Sequence, residues 1–71
     1  MQSKYIEGIN LLTFVKHEID NADCDQKAYN YYVMFTSWIW YNQPLLTTNE
    51  MFKLHSKATY IYTKRLLTYE I

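Results

Sequence analysis

The sequence is poor in the residues that shape tight turns or staple a small domain. Its 71 residues include one glycine, one proline and one cysteine. A single cysteine excludes an internal disulfide. Tight β-hairpins use pairs such as Asn-Gly or Asp-Gly at their turns, and neither pair occurs here. The missing turn residues favour helices joined by short polar loops.

Long apolar runs and metal-ligand clusters are missing as well. The most apolar stretch, 31–41, is interrupted by Thr36 and Ser37 and falls short of the ~20 residues of a membrane span. No secretory signal is visible, and the lone cysteine suits a reducing compartment, so we expect a cytoplasmic protein with no membrane partner. Cys24 and the two histidines show no C-x-x-C or H-x-x-x-H spacing, which gives no reason to expect a structural zinc.

Motifs for catalysis and cofactor binding are also lacking. The acidic loop 20–25 does not match an EF-hand, because a loop started at Asp23 has Ala28 and Met34 where calcium binding needs Gly and Glu. No nucleophile stands beside either histidine by local spacing, and no glycine-rich loop could hold a phosphate. We therefore expect a protein that is not an enzyme and has no cofactor, metal or small-molecule substrate.

A chain of this length would gain stability from association with a partner chain. We expect one domain over residues 1–71, and a chain this short buries only about 60% of the surface that its unfolded form exposes. Small domains are often stabilised by disulfides, metal ions or a partner chain, and association with another chain is the one of these that the composition does not exclude.

The charges are unevenly distributed along the chain. The net charge is zero, but residues 1–25 carry two lysines against five carboxylates (−3) and residues 26–71 carry five basic groups against two carboxylates (+3). Such a dipole permits only modest electrostatic steering.

Two stretches of loop-forming residues, 20–25 and 42–44, divide the chain into three segments. The first runs over about 3–19 with Ser3 as its N-cap, and it carries Gly8 on its apolar face, where a second helix could approach closely. The second runs over about 26–41, with Asp23 or Asp25 as its cap. The third starts at a capping box of Thr47 and Glu50, and the flanking Leu46 and Met51 have the spacing of a hydrophobic staple.

One apolar stripe per segment supplies the predicted core. The first stripe holds Tyr5, Gly8, Ile9, Leu12, Val15 and Ile19. The second holds Ala28, Tyr31, Tyr32, Phe35, Trp38 and Ile39. The third holds Met51, Leu54, Ala58, Ile61, Tyr62 and Tyr69. These stripes predict an all-α three-helix bundle. The alternative is an α+β fold with a hairpin at about 27–43, because 29–41 and 59–69 are rich in aromatic and β-branched residues.

Large apolar residues outside these stripes mark a candidate protein-binding surface. Tyr29, Val33 and Trp40 lie about 100° from the core stripe of the second segment, and Phe14 projects from the polar side of the first. A contiguous group of aromatic side chains marks an interaction site, and tyrosine suits an interface that remains partly hydrated. We therefore predict a small regulator or inhibitor that binds another protein, a second copy of itself in a homodimer, or both.

Arg65 lies on the apolar face of the third segment, where an unpaired charge would be costly. Its guanidinium group could reach past the helix end to solvent or stack on a tyrosine ring. Alternatively, it belongs to the protein-binding surface and pairs with a carboxylate of the partner.

A second candidate surface lies on the opposite face of the third segment. Lys53, Lys57, Tyr60 and Lys64 share this face, and basic residues with an interleaved aromatic are typical of contact with a nucleic-acid backbone. The alternative function is therefore a nucleic-acid-binding regulator. The bias towards Tyr, Ile, Asn and Lys is typical of an AT-rich genome and suggests a viral, phage or mobile-element origin.

Overall fold

Three helices packed side by side make up the computed structural model, which describes residues 3–69, with side chains as far as Thr68. Helix α1 is Lys4–Asp20, α2 is Asp25–Tyr41 and α3 is Thr48–Tyr69, with a 3-10 turn, Gln43–Leu45, between the last two. Helix α2 runs antiparallel to the other two. Residues 3–69 contain no strand, which confirms the all-α bundle, and α2 occupies residues 27–41 of the alternative hairpin at 27–43.

The starts of α1 and α3 are capped as predicted. The Ile6 N–H donates a hydrogen bond to the Ser3 hydroxyl oxygen at 3.3 Å. At α3 the Thr47 N–H donates to the Glu50 carboxylate at 2.9 Å, and the Glu50 N–H donates to the Thr47 hydroxyl oxygen at 3.1 Å. Leu46 is buried and Met51 packs against the core, in agreement with the staple. The start of α3 is therefore set by its own residues.

The predicted cap of α2 was wrong. Cys24 occupies the N-cap position, and its side chain makes no capping hydrogen bond. Asp25 lies in the first turn of the helix, where a carboxylate still interacts favourably with the positive end of the helix dipole. The Asp23 carboxylate instead pairs with the ammonium group of Lys27 at 3.1 Å, one turn further on.

The core consists of residues from the three predicted stripes together with Leu46 of the staple. Its buried apolar side chains are Leu12, Val15, Ile19, Ala28, Phe35, Ile39, Leu46, Leu54 and Ala58. Partly buried aromatic residues, Tyr5, Tyr31, Tyr32, Trp38 and Tyr62, surround this cluster. The side chain of Tyr69 lies outside the described part of the chain. No helix within residues 3–69 is both long and apolar enough to cross a bilayer.

Gly8 lies where side chains of both other helices pack closely against α1. A Cβ atom added there would lie 2.8 Å from Cδ1 of Leu54 in α3 and 3.0 Å from the ring of Trp38 in α2. The Trp38 ring in turn stacks on Phe35, with 6.1 Å between ring centroids. The sequence predicted the close approach of a second helix at Gly8, and the structure brings side chains from both α2 and α3 there.

Arg65 joins the three helices at the opposite end of α1. The side chain is only 3% exposed, so it does not extend into solvent. Its Nη1 donates a hydrogen bond to the carbonyl oxygen of Ile19 at 3.0 Å, and its Nε lies 3.5 Å from a carboxylate oxygen of Asp25. The last carbonyls of a helix lack intrahelical donors and carry the negative end of its dipole, which explains why a cation is stable here. The neighbouring carboxylate thus belongs to the same chain.

We predict that Arg65→Ala lowers the free energy of unfolding by about 2–4 kcal/mol, because it removes a charged hydrogen-bond donor and leaves a cavity. Lys64→Ala, at an exposed neighbouring position, changes it by no more than about 0.5 kcal/mol. Urea denaturation followed by circular dichroism measures both values. Equal effects of the two substitutions would contradict a central role for Arg65.

Candidate functional site

The outward side of α2 carries a straight stripe of residues. Tyr29, Val33, Thr36 and Trp40 are separated by four, three and four positions, so they follow one line along the helix. Trp40 is 69% exposed and Val33 is 38% exposed, and about half of Tyr29 is accessible. The three apolar residues predicted from the sequence on α2 are therefore exposed and share one side of the helix.

Helix α3 extends this stripe sideways with a second row of rings. Tyr62 stacks on Tyr32 with ring centroids 5.1 Å apart and planes inclined by 19°. The Tyr62 ring also lies 5.9 Å from the ring of Tyr29. The Tyr32 hydroxyl shares a hydrogen bond of 3.0 Å with the Thr59 hydroxyl, which joins α2 to α3. These contacts make the rings of the two helices one continuous surface.

An open cavity of about 500 Å³ lies at the Trp40 end of this surface. Its lining consists of Ile39, Trp40, Gln43, Thr48, Met51, Phe52 and His55. Phe52 stands at the rim and is 70% exposed. His55 connects the cavity with the tyrosine cluster, since its ring meets Tyr32 edge-on at 6.4 Å. A large apolar side chain from outside the chain could enter this space.

We refer to seven of these residues as the aromatic face: Tyr29, Tyr32, Val33, Trp40, Phe52, His55 and Tyr62. None of them is Asp, Glu, Lys or Arg. Their polar groups are phenol hydroxyls, an indole N–H and an imidazole, each attached to a flat apolar body. Side chains of this kind are enriched in interfaces, because they bury a large area and still offer a hydrogen bond.

Phe14 lies on a different side of the molecule from the aromatic face. Its ring meets Tyr31 edge-on, with centroids 6.2 Å apart, on the side where α1 packs against α2. Tyr31 is two positions from both Tyr29 and Val33, and two positions turn about 200° around a helix. The Glu18 carboxylate raises the pKa of Tyr31, more through a hydrogen bond than through its negative charge. Phe14 and the buried Arg65 are thus both separate from the face that α2 and α3 form.

The basic stripe of Lys53, Lys57, Tyr60 and Lys64 is exposed along α3, facing away from the aromatic face. The Lys64 ammonium lies 6.0 Å from the centroid of the Tyr60 ring. Between α3 and α1 this stripe borders open cavities of about 330 and 480 Å³. Both cavities are also lined by Lys16 of α1, which pairs with Asp20 at 2.9 Å. The structure therefore adds a lysine from a second helix to the predicted stripe.

The α3 half of the aromatic face was not among the residues predicted from the sequence. Its residues Phe52, His55 and Tyr62 share one helix face with Thr59, and this spacing is the signal that would have identified them. Tyr62 was instead assigned to the core stripe. Among residues 3–69, no group of three or more His, Cys, Asp or Glu side chains is placed to hold a metal ion.

We predict that Tyr32 and Tyr62 are energetically coupled. A double-mutant cycle of Tyr32→Leu and Tyr62→Leu, measured by urea denaturation, should give a coupling of about 0.5–1.5 kcal/mol, as expected for paired aromatic rings. The control cycle combines Tyr62→Leu with Tyr31→Leu on the α1 side of α2. Those two effects should add within about 0.5 kcal/mol. Additive effects in the first cycle would contradict the stacked geometry.

The fold and both surfaces can be compared with known proteins. No family model, curated protein or solved structure matches the chain. The aromatic face and the basic stripe are therefore the observations from which its function is inferred.

Proposed function

We propose that the protein is a non-enzymatic binding module that uses the aromatic face to cover a surface of another protein. The observation that carries this proposal is the continuity of the exposed rings across α2 and α3, from Tyr29 through Tyr62 and Tyr32 to the cavity beside Trp40. A face without charged side chains loses little hydration when it is covered. Covering it also removes apolar groups from water.

The extent of exposed apolar surface supports a binding role. Aromatic side chains bury roughly 150–250 Å² each in a protein interior. With Trp40 and Phe52 each about 70% exposed and Tyr29 about half exposed, these residues and Val33 present on the order of 500 Å². The largest apolar patch on a typical monomer is about 300–600 Å² and is often functional. Trp40 is the strongest candidate hot spot, because tryptophan and tyrosine dominate such positions.

A protein with such a surface can regulate a partner by occupying one of the partner's binding surfaces. A small module that covers part of a partner changes what else can bind there, so we propose a regulator or inhibitor. The lone cysteine supports a cytoplasmic setting. The bias towards Tyr, Ile, Asn and Lys is the basis for proposing a viral, phage or mobile-element origin.

We predict that a photo-crosslinker at Val33 captures a protein in the native cell. Met34 supplies a matched control, since it is the next residue of α2, is 41% exposed against 38% for Val33, and projects about 100° away. p-Benzoylphenylalanine at Val33 should give protein adducts that survive nuclease, whereas Met34 should give few.

Adding Trp40→Ala to the Val33 crosslinker should reduce the adduct strongly, because a hot-spot residue contributes roughly 2 kcal/mol or more, about a 30-fold change in affinity. An adduct with twice the mass of the chain identifies a second copy. Equal adducts from both positions, or none from Val33, would contradict the proposal.

The alternative proposal is a nucleic-acid-binding regulator. The observation that favours it is the groove between α1 and α3, where Lys16 faces the same cavities as Lys57, Tyr60 and Lys64. Lysines on two sides of a groove suit a phosphate backbone, and the exposed Tyr60 ring suits stacking on a base. The net charge of zero and the Lys16–Asp20 pair make this surface the weaker of the two.

We predict that any binding of this protein to DNA or RNA falls steeply with salt. The triple change Lys53→Gln, Lys57→Gln and Lys64→Gln should weaken it and reduce the salt slope by about one unit for each lysine that contacts a phosphate. Fluorescence anisotropy with labelled duplex and single-stranded probes measures both effects. No binding at low salt would exclude the alternative.

A further inference from the structure

We infer that the occupant of the aromatic face is a second copy of the same chain, related by a twofold axis, with Tyr29 of each copy seated in the cavity beside Trp40 of the other. This inference rests on the proposed function, since it names the partner of the same face. Three properties of the face support it: the order of its side chains, the cavity and the absence of charge.

The α2 stripe is complementary to itself in the antiparallel direction. Its ends are the large side chains of Tyr29 and Trp40, about 16 Å apart along the helix, and its middle is the smaller pair Val33 and Thr36. A twofold axis midway between Val33 and Thr36 brings each Tyr29 opposite the partner copy's Trp40. The small residues meet at the axis, where the two α2 helices come closest, and an isologous contact forms every such pair twice.

The cavity beside Trp40 suits a tyrosine side chain. Its volume is about 500 Å³, and Met51 and Phe52 supply apolar walls for a ring. Thr48 and His55 also line it and offer polar groups to a phenol hydroxyl, which needs a partner when it is buried. The chain thus carries both the projecting group and a space of suitable chemistry, at the two ends of one stripe.

The area of the aromatic face approaches what a stable dimer needs. A standard interface takes about 800 Å² from each partner. Tyr29, Val33, Trp40 and Phe52 supply on the order of 500 Å², and the exposed His55 and the partly buried Tyr32 and Tyr62 add to it. An interface of about 800 Å² would cover less than a fifth of the 5117 Å² that one chain exposes. Two helices from each copy would then form a four-helix layer.

The charge distribution permits self-association through this face. A twofold contact places only the groups at the axis near their own copies, but it brings the same face of both copies together, so a face of one charge sign would meet a like charge. None of the seven residues of the aromatic face is charged, and the net charge of the chain is zero. Repulsion between copies is therefore weak at both short and long range.

Sedimentation equilibrium of the full chain over a wide concentration range tests the inference. We expect a reversible monomer–dimer equilibrium. Val33→Glu should raise the dissociation constant by at least 100-fold, since it buries two carboxylates beside the axis, whereas Met34→Glu should change it less than threefold. Trp40→Ala should raise it roughly 1,000-fold, because the twofold contact loses two hot spots that contribute about 30-fold each. Circular dichroism checks that each variant remains folded.

A single engineered cysteine tests the antiparallel register. With Cys24→Ser removing the native thiol, Thr36→Cys should form a disulfide-linked dimer under mild oxidation, because the axis brings the two copies of this position within bridging distance. Ser37→Cys, which projects about 100° away on α2, serves as the control and should stay monomeric. Equal crosslinking at both positions, or none at position 36, would overturn the register.

A wild-type chain that is monomeric at every concentration would overturn the inference. Its failure is distinguishable from failure of the proposed function. If the chain is monomeric while the Val33 photo-adduct contains a different protein, the face has a foreign partner and only self-association is wrong. If the chain is monomeric and position 33 gives no adduct, both proposals fail.

Discussion

The guanidinium group of Arg65 connects all three helices at the end of the bundle where α1 stops and α2 begins. It supplies a donor to the Ile19 carbonyl in the last turn of α1 and faces Asp25 in the first turn of α2. With Gly8 admitting side chains of α2 and α3 near the other end, α1 is held against both helices along its length. The sides of α2 and α3 that face away from α1 are then left for solvent, and the aromatic face lies on them.

Much of the fold could be predicted because its signals are local. The capping box of Thr47 and Glu50 is a four-residue pattern, and the close approach at Gly8 follows from one glycine on an apolar stripe. The role of Arg65 could not be predicted in the same way. Its position on the apolar face was evident, but its acceptor, the Ile19 carbonyl, lies 46 positions away in the chain. The periodicity of the sequence predicts which side of a helix faces the core. It does not predict which acceptor in another helix a side chain on that side contacts.

The candidate site was predictable only in part, for a related reason. Tyr29, Val33 and Trp40 stood out because α2 has more apolar residues than one core stripe can use. Phe14 joined them in the prediction as another surplus apolar residue, although it lies on the α1 side of α2 beside Tyr31. Phe52, at the rim of the cavity, was missed because its significance comes from the neighbouring Trp40. Whether exposed residues form one surface depends on how the helices are placed.

The unequal starts of α2 and α3 affect which parts of the molecule open first. The first turn of α3 is held by its own capping box, whereas Cys24 gives α2 no side-chain cap and leaves its first turn dependent on packing and on the contact between Asp25 and Arg65. Regions held by few local bonds open more often, and their amide hydrogens exchange sooner. Tyr29 lies one turn beyond this start. We therefore expect the amide hydrogens in the first turn of α2, next to Tyr29, to exchange faster than those in the first turn of α3.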